Sequence, residues 1–179
     1  MLKRFPSIHA IISVYAVISF MTYGWTLVAF SGKVPAWSRF LTPGEILVIY
    51  SYSLLTNFSE SMIILALLLC LCLFLPPRLM LDVFIVRGSI IVICLLSAIM
   101  FNLFFYTNTD TTFILGLPGW LVILISALMI MGLLDLLSRK VPFVKSTLVE
   151  LTNWLMVFLY LFLALSFFAL FVIAGKNLI

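Results

Sequence analysis

Glu60 is the residue of this chain best placed to do chemistry, because it is an ionisable group within a long apolar segment. Ionisable side chains inside a membrane-spanning segment usually mark a functional site. The polar residues around it recur at spacings of three and four: Tyr50, Ser53, Asn57, Glu60 and Ser61. Residues at these spacings share one face of a helix. The pattern therefore predicts a polar stripe that points into the protein.

This polar stripe could line a ligand pocket in the outer half of the membrane, joined by Asn102 of a later apolar segment. For Asn102 an ordinary hydrogen bond between helices is the favoured interpretation. Counting about 20 residues back from Pro76 places the hydrocarbon boundary near Thr56, with Glu60 only about 6 Å inside it. Three roles for Glu60 stay open: an interfacial carboxylate, a proton-linked or ligand-binding group, and a contact with another subunit.

Three further charged residues invite functional interpretations. Arg87 is offset from Glu60 by about 10 Å in an antiparallel hairpin, which is too far for a direct ion pair. We expect Arg87 to extend toward the headgroups or to contact a lipid phosphate, while the adjacent Gly88 lets another helix approach closely. Asp135 and Arg139 have the spacing and order of a stabilising helical ion pair.

No catalytic, cofactor-binding or metal-binding pattern is present in the sequence. The cysteines Cys70, Cys72 and Cys94 all lie in apolar segments without paired spacing, and we expect buried thiols. The single histidine, His9, excludes a bis-histidine haem site within the chain. These features predict a protein without cofactors or intrinsic enzymatic activity.

The composition indicates whether water or lipid surrounds this protein. Of the 179 residues, 65% are hydrophobic and 9% are charged, whereas about 25% of the residues of a soluble domain are charged. The apolar segments are continuous, which excludes a β-barrel with its alternating pattern. The chain is therefore predicted to be an all-α integral membrane protein. It shows no basic pattern typical of nucleic-acid binding.

Five segments are long enough to cross a bilayer, and they leave no room for a soluble domain. We predict one transmembrane domain over residues 1–179, a five-span helical bundle. Thr42 and Glu45 have the spacing of a capping box with Pro43 at the first helical position, and Pro76 and Pro77 should end that helix. The predicted spans are residues 9–30, 46–75, 83–106, 113–137 and 150–174.

Lysine and arginine residues predict the orientation, because they accumulate on the cytoplasmic side. With five spans, seven basic residues fall on the side of the N-terminus: Lys3, Arg4, Arg78, Arg87, Arg139, Lys140 and Lys145. Only Lys33, Arg39 and Lys176 fall on the other side. The N-terminus is thus predicted inside and the C-terminus outside, in the cytoplasmic membrane if the source is prokaryotic.

Two classes of function remain. The first is a non-enzymatic membrane subunit or anchor that works within a larger assembly, surrounded by lipid and by protein partners in the membrane. It is favoured by the short loops, the scarce ionisable groups and the broadly apolar helices. The alternative is a small transporter or lipid-binding protein with an outer-leaflet pocket around Glu60. A lipid-modifying enzyme is a distant third, because no pair of groups suits acid–base or nucleophilic catalysis.

Overall fold

The computed structural model describes residues 5–74, 83–108 and 117–178, and these residues form helices without any β-strand. Five helices follow one another: α1 (Ile8–Trp37), α2 (Pro43–Phe74), α3 (Phe84–Asn108), α4 (Leu117–Lys140) and α5 (Pro142–Leu178). Each contains a stretch long and apolar enough to cross a membrane. The predicted five-span helical bundle is confirmed, and an integral membrane protein is indicated.

Two helices are longer than the sequence pattern predicted. Helix α1 continues past Phe30 to Trp37 and accommodates Pro35 in its last turn, so the predicted end was seven residues too early. Helix α5 begins at Pro142 rather than Glu150. Proline suits the first helical position, because its missing N–H would have no helical partner there. Only Val141 separates α4 from α5, and α5 extends about 55 Å at 1.5 Å per residue.

The start of α2 is fixed by the predicted capping box. The Thr42 backbone N–H donates to Glu45 Oε2 at 2.8 Å, and the Thr42 hydroxyl donates to the same oxygen at 2.9 Å. Helix α2 then runs without interruption to Phe74. The prolines predicted to end it, Pro76 and Pro77, lie outside the described residues.

Helix α1 is the centre of the bundle. It packs against α2, α3 and α5, whereas α4 packs mainly against α3 at the periphery. Half of the most apolar window of α1 is buried, against 11% for α4. Val14, Ala16 and Ile18 are completely buried. The first predicted span is thus the core of the structure.

Side-chain contacts give the direction and register of the helices. Tyr15 contacts Ser61 and Thr26 contacts Asn57, so α1 and α2 are antiparallel. Helix α5 is parallel to α1, because Phe20 meets Phe158 and Tyr23 meets Ser166. The first turns of α1, α3 and α5 surround one cleft, and we call this end of the molecule the N-terminal end of the bundle.

Burial of the cysteines differs from the expectation at one position. Cys72 and Cys94 are buried, but Cys70 lies exposed on the outer surface of α2. The expectation was wrong for Cys70 because the outside of a membrane protein is as apolar as its inside. An apolar sequence context therefore does not distinguish a lipid-facing position from a buried one.

Candidate functional site

A row of polar side chains on α1 faces the neighbouring helices. Tyr15, Ser19, Tyr23 and Thr26 follow one another at spacings of four, four and three residues, and the first three are buried. The sequence analysis missed this row and followed only the stripe on α2. The helical spacing of four hydroxyl groups in α1 was the signal that could have revealed it.

Tyr15 connects the centres of α1 and α2. Its hydroxyl lies 3.2 Å from Ser61 Oγ, and Ser61 Oγ lies 2.8 Å from the carbonyl oxygen of Phe58. Serine has a single hydroxyl hydrogen, which Ser61 donates to Phe58. Tyr15 is therefore the donor to Ser61. Ser61, a residue of the predicted stripe, accepts this hydrogen bond between α1 and α2.

Tyr23 connects α1 and α5 in the same way. Its hydroxyl donates to Ser166 Oγ at 2.6 Å, because the Ser166 hydrogen is already donated to the Phe162 carbonyl oxygen at 2.9 Å. The Tyr23 ring also stacks on the Phe162 ring, with centroids 4.8 Å apart and 19° between the planes. One side chain thus combines a buried hydrogen bond with aromatic packing, which fixes the register of the two parallel helices.

The two asparagines do not form the shared pocket that the sequence suggested. Asn57 is buried and its Oδ1 accepts a hydrogen bond from Thr26 Oγ1 at 3.0 Å. Asn102 is buried on α3. Both Nδ2 atoms are without a hydrogen-bond partner in the described part of the chain, so the two side-chain amides do not bond to each other.

The remaining members of the α2 stripe have local roles. Tyr50 is half-buried and meets the Phe30 ring edge-on, with centroids 5.3 Å apart. The Ser53 hydroxyl donates to the carbonyl oxygen of Ile49, one turn earlier in the same helix, at 3.2 Å. Neither contact involves Glu60.

Glu60 itself points away from the bundle. Its side chain is exposed, whereas Ser61 is completely buried against α1. Consecutive residues are about 100° apart around a helix, so a helix that turns Ser61 inward turns Glu60 outward. The expectation that the whole stripe points into the bundle is therefore wrong at its one ionisable residue. The carboxylate has no ion pair or hydrogen bond within the described residues.

Glu60 lies near the middle of α2. It is 17 residues after the first residue of α2 and 14 before the last. Its neighbour Ser61 meets Tyr15, and Asn57 meets Thr26, so Glu60 lies beside the middle of α1. A charged side chain at the centre of a spanning helix costs about 2.5–3.5 kcal/mol on insertion scales. An outward carboxylate would therefore be costly wherever this part of α2 is surrounded by lipid alone.

Arg87 forms an ion pair between helices that the sequence analysis did not predict. Its Nε donates to Asp135 Oδ1 on α4 at 2.8 Å, and its side chain is only 14% exposed. The expectation that Arg87 extends to the headgroups is corrected, because Asp135 supplies a counter-charge inside the protein. Arg139 binds the other oxygen, Oδ2, of the same carboxylate, which confirms the predicted helical pair. Asp135 thus bridges two arginines and attaches α4 to α3.

An apolar groove of about 410 Å³ lies between α3 and α4. Small side chains open it, among them Cys94, Ser97 and Ala98 on α3 and Ser126 and Ala127 on α4. Its lining contains no ionisable carboxylate, amine or guanidinium. The groove can hold a hydrocarbon chain or apolar side chains.

The interactions found among the described polar residues are hydrogen bonds and ion pairs. Within those residues, no three His, Cys, Asp or Glu side chains come close enough to hold a metal ion. No protein-family model, curated protein or solved structure matches the chain. Inference about function must accordingly start from the polar row on α1, the Asp135 cluster and the outward Glu60.

The hydrogen bond between Tyr23 and Ser166 gives a first prediction. We expect Tyr23→Phe to lower the free energy of unfolding in detergent by about 1 kcal/mol, because hydrogen bonds between membrane helices contribute roughly 0.6–2 kcal/mol. Tyr160→Phe is the matched control, since Tyr160 is 71% exposed and its loss of a hydroxyl should leave stability unchanged. Equal effects of the two substitutions would contradict the assignment.

Proposed function

We propose that this protein is a non-enzymatic multi-pass membrane subunit or anchor that works within a larger membrane assembly. The observation that carries the proposal is the use of its buried polar side chains. Tyr15, Tyr23 and Thr26 bond to neighbouring helices, and Arg87 and Asp135 join α3 to α4. These groups hold helices together, and none of them lines a cavity found in the described part of the chain, so they support a scaffold.

The surface favours the same function. Exposed apolar side chains cover α4 and the outer sides of α2 and α5, including Met129, Leu67 and Phe171 at 71%, 65% and 76% exposure. Such surfaces contact lipid or other membrane helices. Helix α4 is held mainly through α3, which leaves most of its circumference for contacts outside this chain.

The alternative function, a transporter or lipid-binding protein with a pocket around Glu60, receives less support. That hypothesis needs Glu60, Asn57 and Asn102 to face a common space. Asn57 instead faces α1, Glu60 faces outward, and no side-chain hydrogen bond joins the two amides. A carboxylate on the outside of the bundle suits a contact with a neighbour better than an enclosed pocket.

Gentle extraction tests the proposal. The tagged protein is expressed at its natural level and extracted from the membranes of the cells that make it. Native mass spectrometry then measures the mass of the extracted complex. We expect a mass above that of the 20.2 kDa chain plus bound lipid, with at least one other membrane protein in constant proportion. The proposal would be overturned if extraction in several mild detergents gave a stable monomer that binds lipid but no other protein.

A further inference from the structure

We propose that the outward face of α2 docks a transmembrane helix of a different protein, and that this helix carries a lysine or arginine at the level of Glu60. The outward face comprises Thr56, Ser59, Glu60, Ile63, Leu67 and Cys70, all of which are exposed. The inference rests on the proposed function, because it names the chemistry of one partner in the assembly. It adds the surface used and the charge that the partner must bring.

The outward face has the pattern of a helix-packing surface. Thr56, Glu60, Ile63, Leu67 and Cys70 follow one another at spacings of three and four, with Ser59 beside Glu60, so they form one continuous stripe opposite the side that packs on α1. Ile63 and Leu67 are 58% and 65% exposed and form the ridge of this stripe. The small side chains Ser59 and Cys70 lie beside the ridge and allow a second helix to approach closely.

Nothing on this face neutralises Glu60. The nearby hydroxyl of Thr56 donates to the Tyr52 carbonyl oxygen at 3.0 Å, and that of Ser59 donates to the Leu55 carbonyl oxygen at 3.2 Å. Each hydroxyl hydrogen is thereby used within α2 itself. Within residues 5–74, 83–108 and 117–178 the carboxylate has no partner, and we place its partner on another protein.

Charge complementarity selects a cationic partner from another protein. The sequence between Pro43 and Phe74 contains no lysine or arginine, and neither do residues 5–32, 88–138 or 146–175. Arg87 precedes Gly88, which packs against Val14, and it already pairs with Asp135. A second copy that docks through the same face would bring no lysine or arginine, because α2 contains neither. A symmetric pair through this face would set Glu60 against a like charge.

Photo-crosslinking in native membranes tests the inference. A photoreactive phenylalanine derivative replaces Leu67 on the outward face, or Met129 on the outer side of α4 as the comparison site. Each is combined with Glu60, with Glu60→Gln and with Glu60→Asp. Because Glu60 is exposed and makes no contact within the described chain, these substitutions should leave the fold intact. Native mass and thermal stability of each variant are measured in parallel.

We expect crosslinking from Leu67 to another membrane protein, and a loss of about tenfold or more with Glu60→Gln, since removing one member of a buried charge pair leaves the other unpaired. Glu60→Asp should retain most of the product, because it keeps the charge. Sequencing of the crosslinked peptide should reveal a spanning helix with lysine or arginine, and neutralising that residue should cause the same loss.

Three results would overturn the inference. The first is a crosslinked product from position 67 whose yield does not change with Glu60→Gln. The second is a crosslink between two copies of this chain, and the third is a crosslinked partner helix without a basic residue. A product from Met129 but none from Leu67 would reject this docking surface while leaving the assembly itself intact. A monomeric mass with no product from either site would reject the proposed function as well.

Discussion

Replacing Asp135 with asparagine is expected to lower the free energy of unfolding by about 2 kcal/mol. Removing one partner of a buried ion pair costs roughly 3–5 kcal/mol. We expect a smaller loss of unfolding free energy for Asp135→Asn, because Asp135 is 26% exposed and the asparagine amide oxygen can still accept a hydrogen bond from Arg87. The substitution removes the Asp135 charge from beside the Arg87 side chain, which is only 14% exposed. Reversible unfolding in mixed detergent measures the change.

Arg139→Met is the matched control for Asp135→Asn. It removes only the ion pair within α4, from a side chain that is 53% exposed, and such helical pairs contribute about 0.3–0.5 kcal/mol. Arg87→Met should fall between the two, since Asp135 then keeps Arg139. If Asp135→Asn lowered the free energy of unfolding no more than Arg139→Met does, the buried ion pair would not stabilise the contact between α3 and α4.

The elements that the sequence predicted correctly are those encoded locally. The five spans follow from the length of their apolar segments, and the start of α2 follows from Thr42 and Glu45, three residues apart. The pair between Asp135 and Arg139 also requires only one turn of helix. In each case the interacting groups lie within a few residues, so helix geometry alone brings them together.

The inward and outward faces of the helices could not be predicted in the same way. In a soluble protein, polar residues mark the face that meets water. Here both faces of α2 are apolar, and its few polar residues are divided between them: Ser61 is buried and Glu60 is exposed. The polar stripe was assigned to the inside because polar groups in membranes usually face the bundle. An outward Glu60 departs from that rule.

The contact between Arg87 and Asp135 depends on tertiary structure. The two residues are 48 positions apart, and their meeting requires both the pairing of α3 with α4 and its register. Hairpin geometry predicts no direct pair between Arg87 and Glu60, and none is found among the described residues, but local geometry does not indicate Asp135 as the partner. The central position of α1 was missed for a similar reason, because burial of Val14 depends on which helices surround it.

Gly88→Leu is expected to be the most damaging single substitution, lowering the free energy of unfolding by about 3 kcal/mol or more. A Cβ atom at Gly88 would lie 3.1 Å and 3.4 Å from the two methyl carbons of Val14, and 3.5 Å from Leu68 Cδ2. Val14 is completely buried, and its branched side chain has little rotamer freedom in a helix. A leucine would therefore force α3 away from both α1 and α2, and overpacking of a core typically costs 1–3 kcal/mol or somewhat more.

Graded substitutions separate this steric effect from a general loss of glycine. Gly88→Ala should lower the free energy of unfolding by about 1 kcal/mol, because Val14 must move by only a few tenths of an ångström. In a Val14→Ala background the space beside Gly88 is free, so the change from glycine to alanine should be nearly neutral there. At Gly132 of α4, where nothing lies within 4 Å of the added Cβ, the same change to alanine should raise stability by up to about 1 kcal/mol through helix propensity. Opposite signs at the two glycines, measured by unfolding in mixed detergent, are the expected result. Equal signs would mean that α3 does not approach α1 and α2 as closely as the contacts at Gly88 require.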